Sequence, residues 1–268
     1  MIGPTVEDVK RSLAIADERE FASLERSLRG DPRKGVQQAL EQARRRLAAR
    51  RAELDRVAGL YAFERSLLEG RGEVVVGLDE VGRGPLAGPL AVGAVVLPAE
   101  PPIEGLNDSK QVAPEARERV AARVREVALA WAVEYIDPGR IDEIGMTASL
   151  IEAFRCAVGR VEEAGVRPDV VLLDGNPLHF DPREVNVVKG DAQCASIAAA
   201  SIVAKVDRDA LMCRYALEYP EYGFESNKGY ASAAHVAALR EHGLCPIHRV
   251  SFCRGLLQEQ TFVQESLF

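Results

Sequence analysis

The sequence predicts an α/β protein: a mixed β-sheet flanked by helices, preceded by a helical N-terminal extension. Two β-rich runs, EVVVGLDE and LAVGAVVLP, begin at residues 73 and 90. Beyond them, strand-like runs alternate with helical patterns, which is typical of a sheet whose faces are covered by helices. The chain has 268 residues and 47% hydrophobic side chains, so it is long and apolar enough to bury a full core.

The N-terminal region carries no strand pattern. Apolar residues recur at helical spacing from about residue 6 to 68, so we expect residues 1–70 to form a helical extension. The turn at Asp31-Pro32 divides it into two helical blocks. The sequence Gly70-Arg71-Gly72 predicts a hinge into the main domain, residues 71–268, which ends in a helical region.

Charge is unevenly divided along the chain. Residues 1–72 hold 15 Lys and Arg against 12 Asp and Glu, which leaves 19 against 29 for the rest of a chain with net charge −7. The extension includes the arginine run Arg44, Arg45, Arg46, Arg50 and Arg51. Such a run contacts nucleic acid or forms a solvated helix face, and we favour the solvated face.

The main domain is expected to begin with three strands, the third of them after a helix, and then to alternate helices and strands. In order, the elements are strands EVVVGLDE and LAVGAVVLP, helix PEARERVAARVREVALA, strand WAVEYI, helix TASLIEAFRCAVGRVEEAG, strands DVVLLDG and VNVVKG, and the long helix CASIAAASIVAKVDRDALMCRYALEY. This order favours a mixed sheet over a purely parallel one.

The cellular setting is predicted from what the sequence lacks. Its apolar runs are too short to span a bilayer, and the N-terminus has no apolar signal core. The five cysteines are odd in number and contain no C-x-x-C pair, which indicates reduced thiols. We therefore expect a cytoplasmic monomer that does not bind membranes.

The segment GLDEVGRGPLAG, residues 77–88, places two carboxylates directly before a glycine-rich turn. The turn superficially resembles a dinucleotide-binding loop. However, Asp79 and Glu80 would repel a pyrophosphate there, and Pro85 removes a backbone donor from the loop. Paired carboxylates can approach a phosphate if a divalent cation lies between them, and hard oxygen ligands favour Mg²⁺ or Mn²⁺.

Such a metal site needs further acids. Asp174 ends the apolar strand VVLLD, at the edge where parallel strands present functional side chains. In the following helix, Asp207 and Asp209 are about 200° apart around the axis, so only one can face a shared site. The residue pattern alone leaves the choice between them open.

Five ordered blocks between residues 73 and 254 resemble the bacterial ribonuclease HII family, the type 2 ribonucleases H. They are DEVGRGPLAGP, LNDSK, LLDGN, VKGD with SIAAASIVAKVDRD, and NKGYASAAHVAALREHG with HRVSF. The resemblance implies an RNase H-like fold and two-metal cleavage of RNA–DNA hybrids and of single ribonucleotides embedded in duplex DNA. The expected products carry a 3′-hydroxyl and a 5′-phosphate.

The resemblance also implies roles for individual residues. It assigns the catalytic, metal-binding carboxylates to Asp79, Glu80, Asp174 and Asp209, with Mn²⁺ or Mg²⁺ as cofactor. Asp207 departs from the family pattern, which usually has threonine there. The ribose 2′-hydroxyl would be recognised by Gly82, Arg83, Gly84 and Tyr230, and the substrate backbone by Lys110, Lys189 and Lys205.

Other interpretations predict different behaviour. Another RNase H-like nuclease, such as a junction resolvase, would cut branched DNA that has no ribonucleotide. A nucleotide- or nucleic-acid-binding module would use the glycine loop without hydrolysis. The group His242, Cys245, His248 and Cys253 suggests zinc by composition, but its spacing fits no common zinc finger.

Overall fold

The computed structural model describes residues 4–256. The chain divides by contacts into two compact units, residues 1–58 and 59–268. The last part of the predicted C-terminal helical region lies outside the described residues. No helix within residues 4–256 is both long and apolar enough to cross a membrane.

The elements follow the predicted order. The helices are α1 (Val6–Ile15), α2 (Glu18–Leu28), α3 (Lys34–Leu67), α4 (Pro114–Val127), α5 (Pro138–Ile144), α6 (Met146–Glu163), α7 (Ala195–Glu218), α8 (Phe224–Asn227) and α9 (Ala233–His242). The strands are β1 (Val75–Val81), β2 (Leu90–Val96), β3 (Ala130–Ile136), β4 (Val170–Asp174) and β5 (Glu184–Val187).

The first unit is helical, as predicted, but it breaks twice rather than once. Besides the turn at Asp31, the chain breaks between α1 and α2, where the Asp17 side chain accepts the Glu20 N–H and Glu20 reaches back to the Asp17 N–H. This capping box was visible in the sequence as D-x-x-E and is a strong helix-start signal. The core of the unit is built from Val9, Leu13, Phe21, Leu28, Val36, Leu40 and Leu47.

The arginine run of the first unit is paired with carboxylates of the same unit. The pairs are Arg44 with Glu25 and Glu41, Arg45 with Glu41, and Arg51 with Asp55. Arg46 instead donates to the carbonyls of Leu13 and Ala16, near the end of α1. These contacts support the solvated, ion-paired face rather than an arginine surface reserved for phosphates.

The second unit contains a five-stranded mixed sheet in the order β3-β2-β1-β4-β5, which confirms the predicted fold class. Strands β1, β2 and β3 pair antiparallel, whereas β4 and β5 are parallel to β1. Because β1 and β4 are parallel neighbours, their carboxyl ends meet at one edge of the sheet. The acids near the carboxyl ends of these strands, Asp79 and Glu80 in β1 and Asp174 in β4, therefore lie near one another.

Helices cover the two faces of the sheet differently. On one face, Phe154 and its neighbours in α6 pack on large side chains such as Leu78 and Val92. On the other face, α7 lies close to the strands because Gly77 and Gly93 have no side chains. A Cβ on Gly93 would overlap the Ala200 carbonyl, and one on Gly77 would overlap the backbone of Ser196.

The last turns of α3, from residue 59 onward, belong to the second unit. The buried Glu64 carboxylate accepts the Ser196 N–H at 2.7 Å and the Ser196 hydroxyl at 2.6 Å, in the first turn of α7. Burial raises the pKa of Glu64. The Tyr61 hydroxyl accepts the Ile103 N–H. Glu64 thus caps the N-terminus of α7, the helix that packs closely against the sheet.

A glycine exchange tests the close approach of α7. Gly93→Ala should lower the free energy of unfolding by about 2–4 kcal/mol, because its methyl group would press on the backbone of α7 at Ala200. The matched control is Gly159→Ala in α6, where a Cβ meets nothing within 4 Å. That variant should be neutral or stabilised by up to about 1 kcal/mol. Denaturant unfolding measures both, and equal effects would contradict the packing argument.

Candidate active site

A cleft of about 390 Å³ opens where β1 and β4 end. Of the residues predicted for the site, Asp79, Glu80, Gly82, Arg83, Gly84, Lys110, Asp174, Lys205 and Tyr230 line it. Asp209 and Lys189 are not among its lining residues. Asp191, which was not predicted as a site residue, also lines the cleft.

Asp79 lies at the base of the cleft and is only 7% exposed. Its Oδ1 accepts the Glu80 N–H at 2.8 Å, and Ser201 of α7 donates to its carboxylate. Burial raises the pKa of Asp79 well above the usual range, and repulsion from Glu80 and Asp174 adds to the effect. A negative charge at Asp79 is therefore costly until a cation is present.

Glu80 faces the same cleft and is held by the arginine of the glycine loop. The Arg83 Nη1 donates to Glu80 Oε1 at 3.1 Å. Burial raises the pKa of Glu80, the positive charge of Arg83 opposes that rise, and Asp174 adds repulsion. Because the Arg83 side chain is 60% exposed, this ion pair is open to replacement by an incoming charged group.

Asp174 and Asp191 complete the acidic side of the cleft. Asp174 ends β4, and its Oδ1 accepts the Gly190 N–H at 2.6 Å. Asp191 follows Gly190 in a short 3₁₀ turn and is 9% exposed. Burial raises the pKa of Asp191, and the charges of Asp174 and Asp108 raise it further. The block VKGD, residues 188–191, contains Asp191 and could have indicated it, but only Lys189 of that block was assigned a role.

The four acids share the cleft without forming a closed metal cage. Within residues 4–256, no three acid, histidine or cysteine side chains already converge on a single metal position. This arrangement suits Mg²⁺, which proteins bind through one or two carboxylates together with waters and substrate phosphates. The crowded and mutually repelling carboxylates are the donor set that a divalent cation would stabilise.

Asp207 and Asp209 point in different directions, as their helical spacing required. The Lys205 Nζ donates to Asp209 Oδ1 at 2.7 Å, and Arg117 of α4 lies 3.8 Å from its Oδ2. Asp207 instead pairs with Arg125 of α4. Asp209, expected among the metal-binding acids, is therefore not a lining residue of the cleft. Its carboxylate accepts a hydrogen bond from Lys205, and the Lys205 side chain lines the cleft.

The predicted lysines also separate. Lys110 follows Asp108 in a turn, with its N–H donated to Asp108 Oδ1, and its side chain lines the cleft together with Lys205. Lys189 is exposed and adopts the left-handed conformation, with φ of 58°, just before the 3₁₀ turn of Asp191. Its backbone shapes that turn, and its side chain lies outside the cleft lining.

Two buried arginines hold the glycine loop from behind. Arg249, 0% exposed, donates to the carbonyls of Gly82, Arg83 and Gly88. Arg208, also 0% exposed, donates to the carbonyls of Ala87, Pro89 and Lys228. A guanidinium fork can satisfy several carbonyls at once, so the loop is fixed by its own backbone acceptors.

The loop is also interlocked with the segment that carries Tyr230. The Gly229 carbonyl accepts the N–H groups of Leu86, at 2.8 Å, and Ala87, at 3.3 Å. These bonds bring Tyr230 to the cleft, where its side chain remains 46% exposed. The glycine loop and Tyr230 therefore face the acids from one rigid backbone assembly.

The fold and the acid-lined cleft define a ribonuclease H-type hydrolase. The solved structure of ribonuclease H2 from Pyrococcus horikoshii superposes with a TM-score of 0.59 and 27% identity, covering 70% of this chain and 98% of that one. The ribonuclease HII family profile matches residues 76–255, and the ribonuclease HII N-terminal domain profile matches residues 5–68. The chain belongs to the ribonuclease HII family.

Two curated relatives agree with that assignment. Ribonuclease HII from Halalkalibacterium halodurans is 43% identical over 225 residues, which are 84% of each chain. Ribonuclease HII from Ruminiclostridium cellulolyticum is 40% identical over 207 residues, 77% of this chain and 80% of the relative. The resemblance predicted from the sequence blocks is confirmed, and the protein is a ribonuclease, a hydrolase of phosphodiester bonds.

A pair of glycine variants tests how the loop is held. Gly82 has φ of 92°, and a Cβ there would overlap the Arg208 side chain, whereas the nearest atom to a Cβ on Gly84 is 4.0 Å away in the Tyr230 ring. Gly82→Ala should lower the free energy of unfolding by about 2–4 kcal/mol, and Gly84→Ala by less than about 0.5 kcal/mol. Thermal unfolding compares them, and a Gly82→Ala protein as stable as Gly84→Ala would show that the loop is not fixed as described.

Proposed function

We propose that this ribonuclease hydrolyses the RNA strand of RNA–DNA hybrids and nicks duplex DNA on the 5′ side of embedded single ribonucleotides, leaving a 3′-hydroxyl and a 5′-phosphate. The observation that carries the proposal is the composition of one cleft. The carboxylates Asp79, Glu80, Asp174 and Asp191 line it together with the Gly82–Gly84 loop and Tyr230. The acids and the residues proposed to recognise the ribose thus share one cleft.

Asp79, Glu80, Asp174 and Asp191 are the residues that would hold Mg²⁺ or Mn²⁺. When bound, such ions supply a more acidic attacking water and charge stabilisation at the leaving 3′-oxygen. Asp191 takes the place that the family resemblance had suggested for Asp209, because it lies in the cleft and Asp209 is paired with Lys205.

The chain's other groups bind and orient the substrate. Lys110 and Lys205 bring positive charge to the cleft of a protein whose net charge is −7, so they are the local partners for substrate phosphates. The Gly82–Gly84 loop brings its backbone close to the bound strand, and Tyr230 lies beside it. A site built around the 2′-hydroxyl distinguishes RNA from DNA and rejects the deoxy analogue by roughly 10⁴-fold.

The setting we infer is a cytoplasmic monomer. All five cysteines, each within the described residues, are free thiols. The short apolar runs of the sequence fit the same setting.

The first measurement uses a labelled DNA duplex with one ribonucleotide, beside its all-DNA twin, with and without Mg²⁺ or Mn²⁺. We expect a metal-dependent nick on the 5′ side of the ribonucleotide and none in the twin, and Asp79→Asn should abolish the nick while the protein stays folded. Cutting of both duplexes would keep the metal site but refute the 2′-hydroxyl-reading role of the Gly82–Gly84 loop and Tyr230. Tight binding that survives chelation with no product would favour a binding module.

A second prediction separates the two candidates for the fourth acid. Asp191→Asn should lower the cleavage rate on the order of 10³-fold, since losing a metal ligand removes several kcal/mol of transition-state stabilisation. Asp209→Asn should lower it less than about tenfold, through looser positioning of Lys205. Asp207→Asn is the matched control on the same helix, paired with Arg125. Single-turnover rates at saturating metal decide the ranking, and the reverse order would return the metal-binding role to Asp209.

A further inference from the structure

Behind Tyr230 lie two buried histidines that the site described so far does not use. His235, in α9, is 0% exposed and His248 is 4% exposed. Their Nε2 atoms are 3.0 Å apart, which is hydrogen-bonding distance. His235 Nδ1 lies 2.8 Å from the Tyr230 carbonyl. The pair therefore connects the C-terminal HRVSF block with the backbone of the proposed ribose-reading tyrosine.

The direction of each hydrogen bond follows from the partners. A carbonyl only accepts, so His235 Nδ1 must donate to Tyr230. In a neutral imidazole the other nitrogen then accepts, which makes His248 Nε2 the donor to His235. His248 Nδ1 is left as an acceptor, and the Cys245 N–H lies 2.9 Å from it. One set of tautomers satisfies all three bonds.

The surroundings keep both rings neutral. Burial lowers the pKa of His235, and burial together with the neighbouring ring lowers the pKa of His248 to about 4. The rings are enclosed by aromatic side chains, with the Tyr222 ring centroid 4.8 Å from that of His248 and the Phe224 ring 5.3 Å from His235. The tautomers required by the chain of bonds are thus stable near neutral pH.

The chain of bonds ends on a carbonyl whose other contacts are short-range. The Tyr230 carbonyl also accepts the Ser232 N–H, two residues further along. The bond from His235 therefore connects the Tyr230 carbonyl to α9 and, through His235, to His248. The next residue, Arg249, donates to the carbonyls of the glycine loop. His248 and Arg249 are adjacent, so one dipeptide contacts both sides of the proposed reader.

We propose that His248, acting through His235, is a positioning residue that sets the orientation of Tyr230 relative to the Gly82–Gly84 loop. This rests on the proposed function for its consequence, ribose recognition, but the geometry it claims does not depend on the substrate. Neither histidine touches the substrate. Their effect is to fix the backbone from which the Tyr230 ring projects.

The test uses two matched substitutions of His248. His248→Asn keeps an acceptor near the Nδ1 position for the Cys245 N–H but lacks a donor that reaches His235. His248→Gln places an amide N–H at about the distance of the lost Nε2–H. In full-length protein labelled with 3-fluorotyrosine, the Tyr230 signal, identified by its loss in Tyr230→Phe, should shift or split in His248→Asn and return towards its native position in His248→Gln.

Cleavage kinetics give the functional readout. With the single-ribonucleotide duplex, His248→Asn should lower kcat/KM about tenfold, the effect of one net hydrogen bond, and His248→Gln should recover part of it. In a Tyr230→Ala background, His248→Asn should cost less than about twofold, because residues that act through one another are not additive.

Each outcome decides one of the two claims. An unchanged fluorotyrosine signal in folded His248→Asn would overturn the positioning role whatever the substrate. A tenfold loss that persists undiminished in Tyr230→Ala would also overturn it, because it would show a general structural effect. A shifted Tyr230 signal in a protein whose wild-type form does not cut the duplex would uphold the positioning role and refute the proposed function instead.

Discussion

The site depends on the close approach of α7 to the sheet. Gly77 and Gly93 leave no room for a Cβ between the strands and this helix, because the backbone of α7 at Ser196, Ile197 and Ala200 lies directly against them. A helix seated one side chain further away could not bring Ser201 to the Asp79 carboxylate. The same seating carries Lys205 into the cleft and Arg208 behind the glycine loop, each about one helical turn further along.

Charges at the site are arranged at some cost to stability. The carboxylates of Asp79, Glu80 and Asp191 are crowded, and burial and mutual repulsion raise the pKa of each of them. Behind the loop, burial lowers the pKa of Arg249 to about 10, and the neighbouring positive charge of Arg208 adds to the effect. The Arg249 guanidinium is bonded to carbonyls of the loop. Natural proteins tolerate such local conflicts mainly at functional sites, where the missing counter-charge comes from the ligand.

The order of elements and the acids at strand ends could be predicted, because apolar runs and the acids that close them are local patterns. The parallel pairing of β1 with β4 joins distant segments, so only the structure shows it. Asp191 was missed for a physical reason. It sits in a short turn after a left-handed Lys189, and only the Gly190 N–H bond to Asp174 places it beside the other acids. Periodicity says nothing about such a turn. Helical spacing correctly separated Asp207 from Asp209, but it could not show that the arginine between them is buried against backbone carbonyls.

The adjacency of acids and glycines in one short segment has a geometric consequence for the proposed reaction. Glu80 and Gly82 are separated by a single residue, and the carbonyls of Gly82 and Arg83 are held by Arg249. A segment this short and this firmly bonded cannot change its length, so covalent geometry fixes the distance between Glu80 and the glycine loop. If the reader binds the 2′-hydroxyl of one nucleotide, the same phosphate must always fall at the acids. On the proposed function, the backbone of the loop would set the position of the cut relative to the ribonucleotide, and the lysines proposed to contact phosphates would affect how tightly the strand is held.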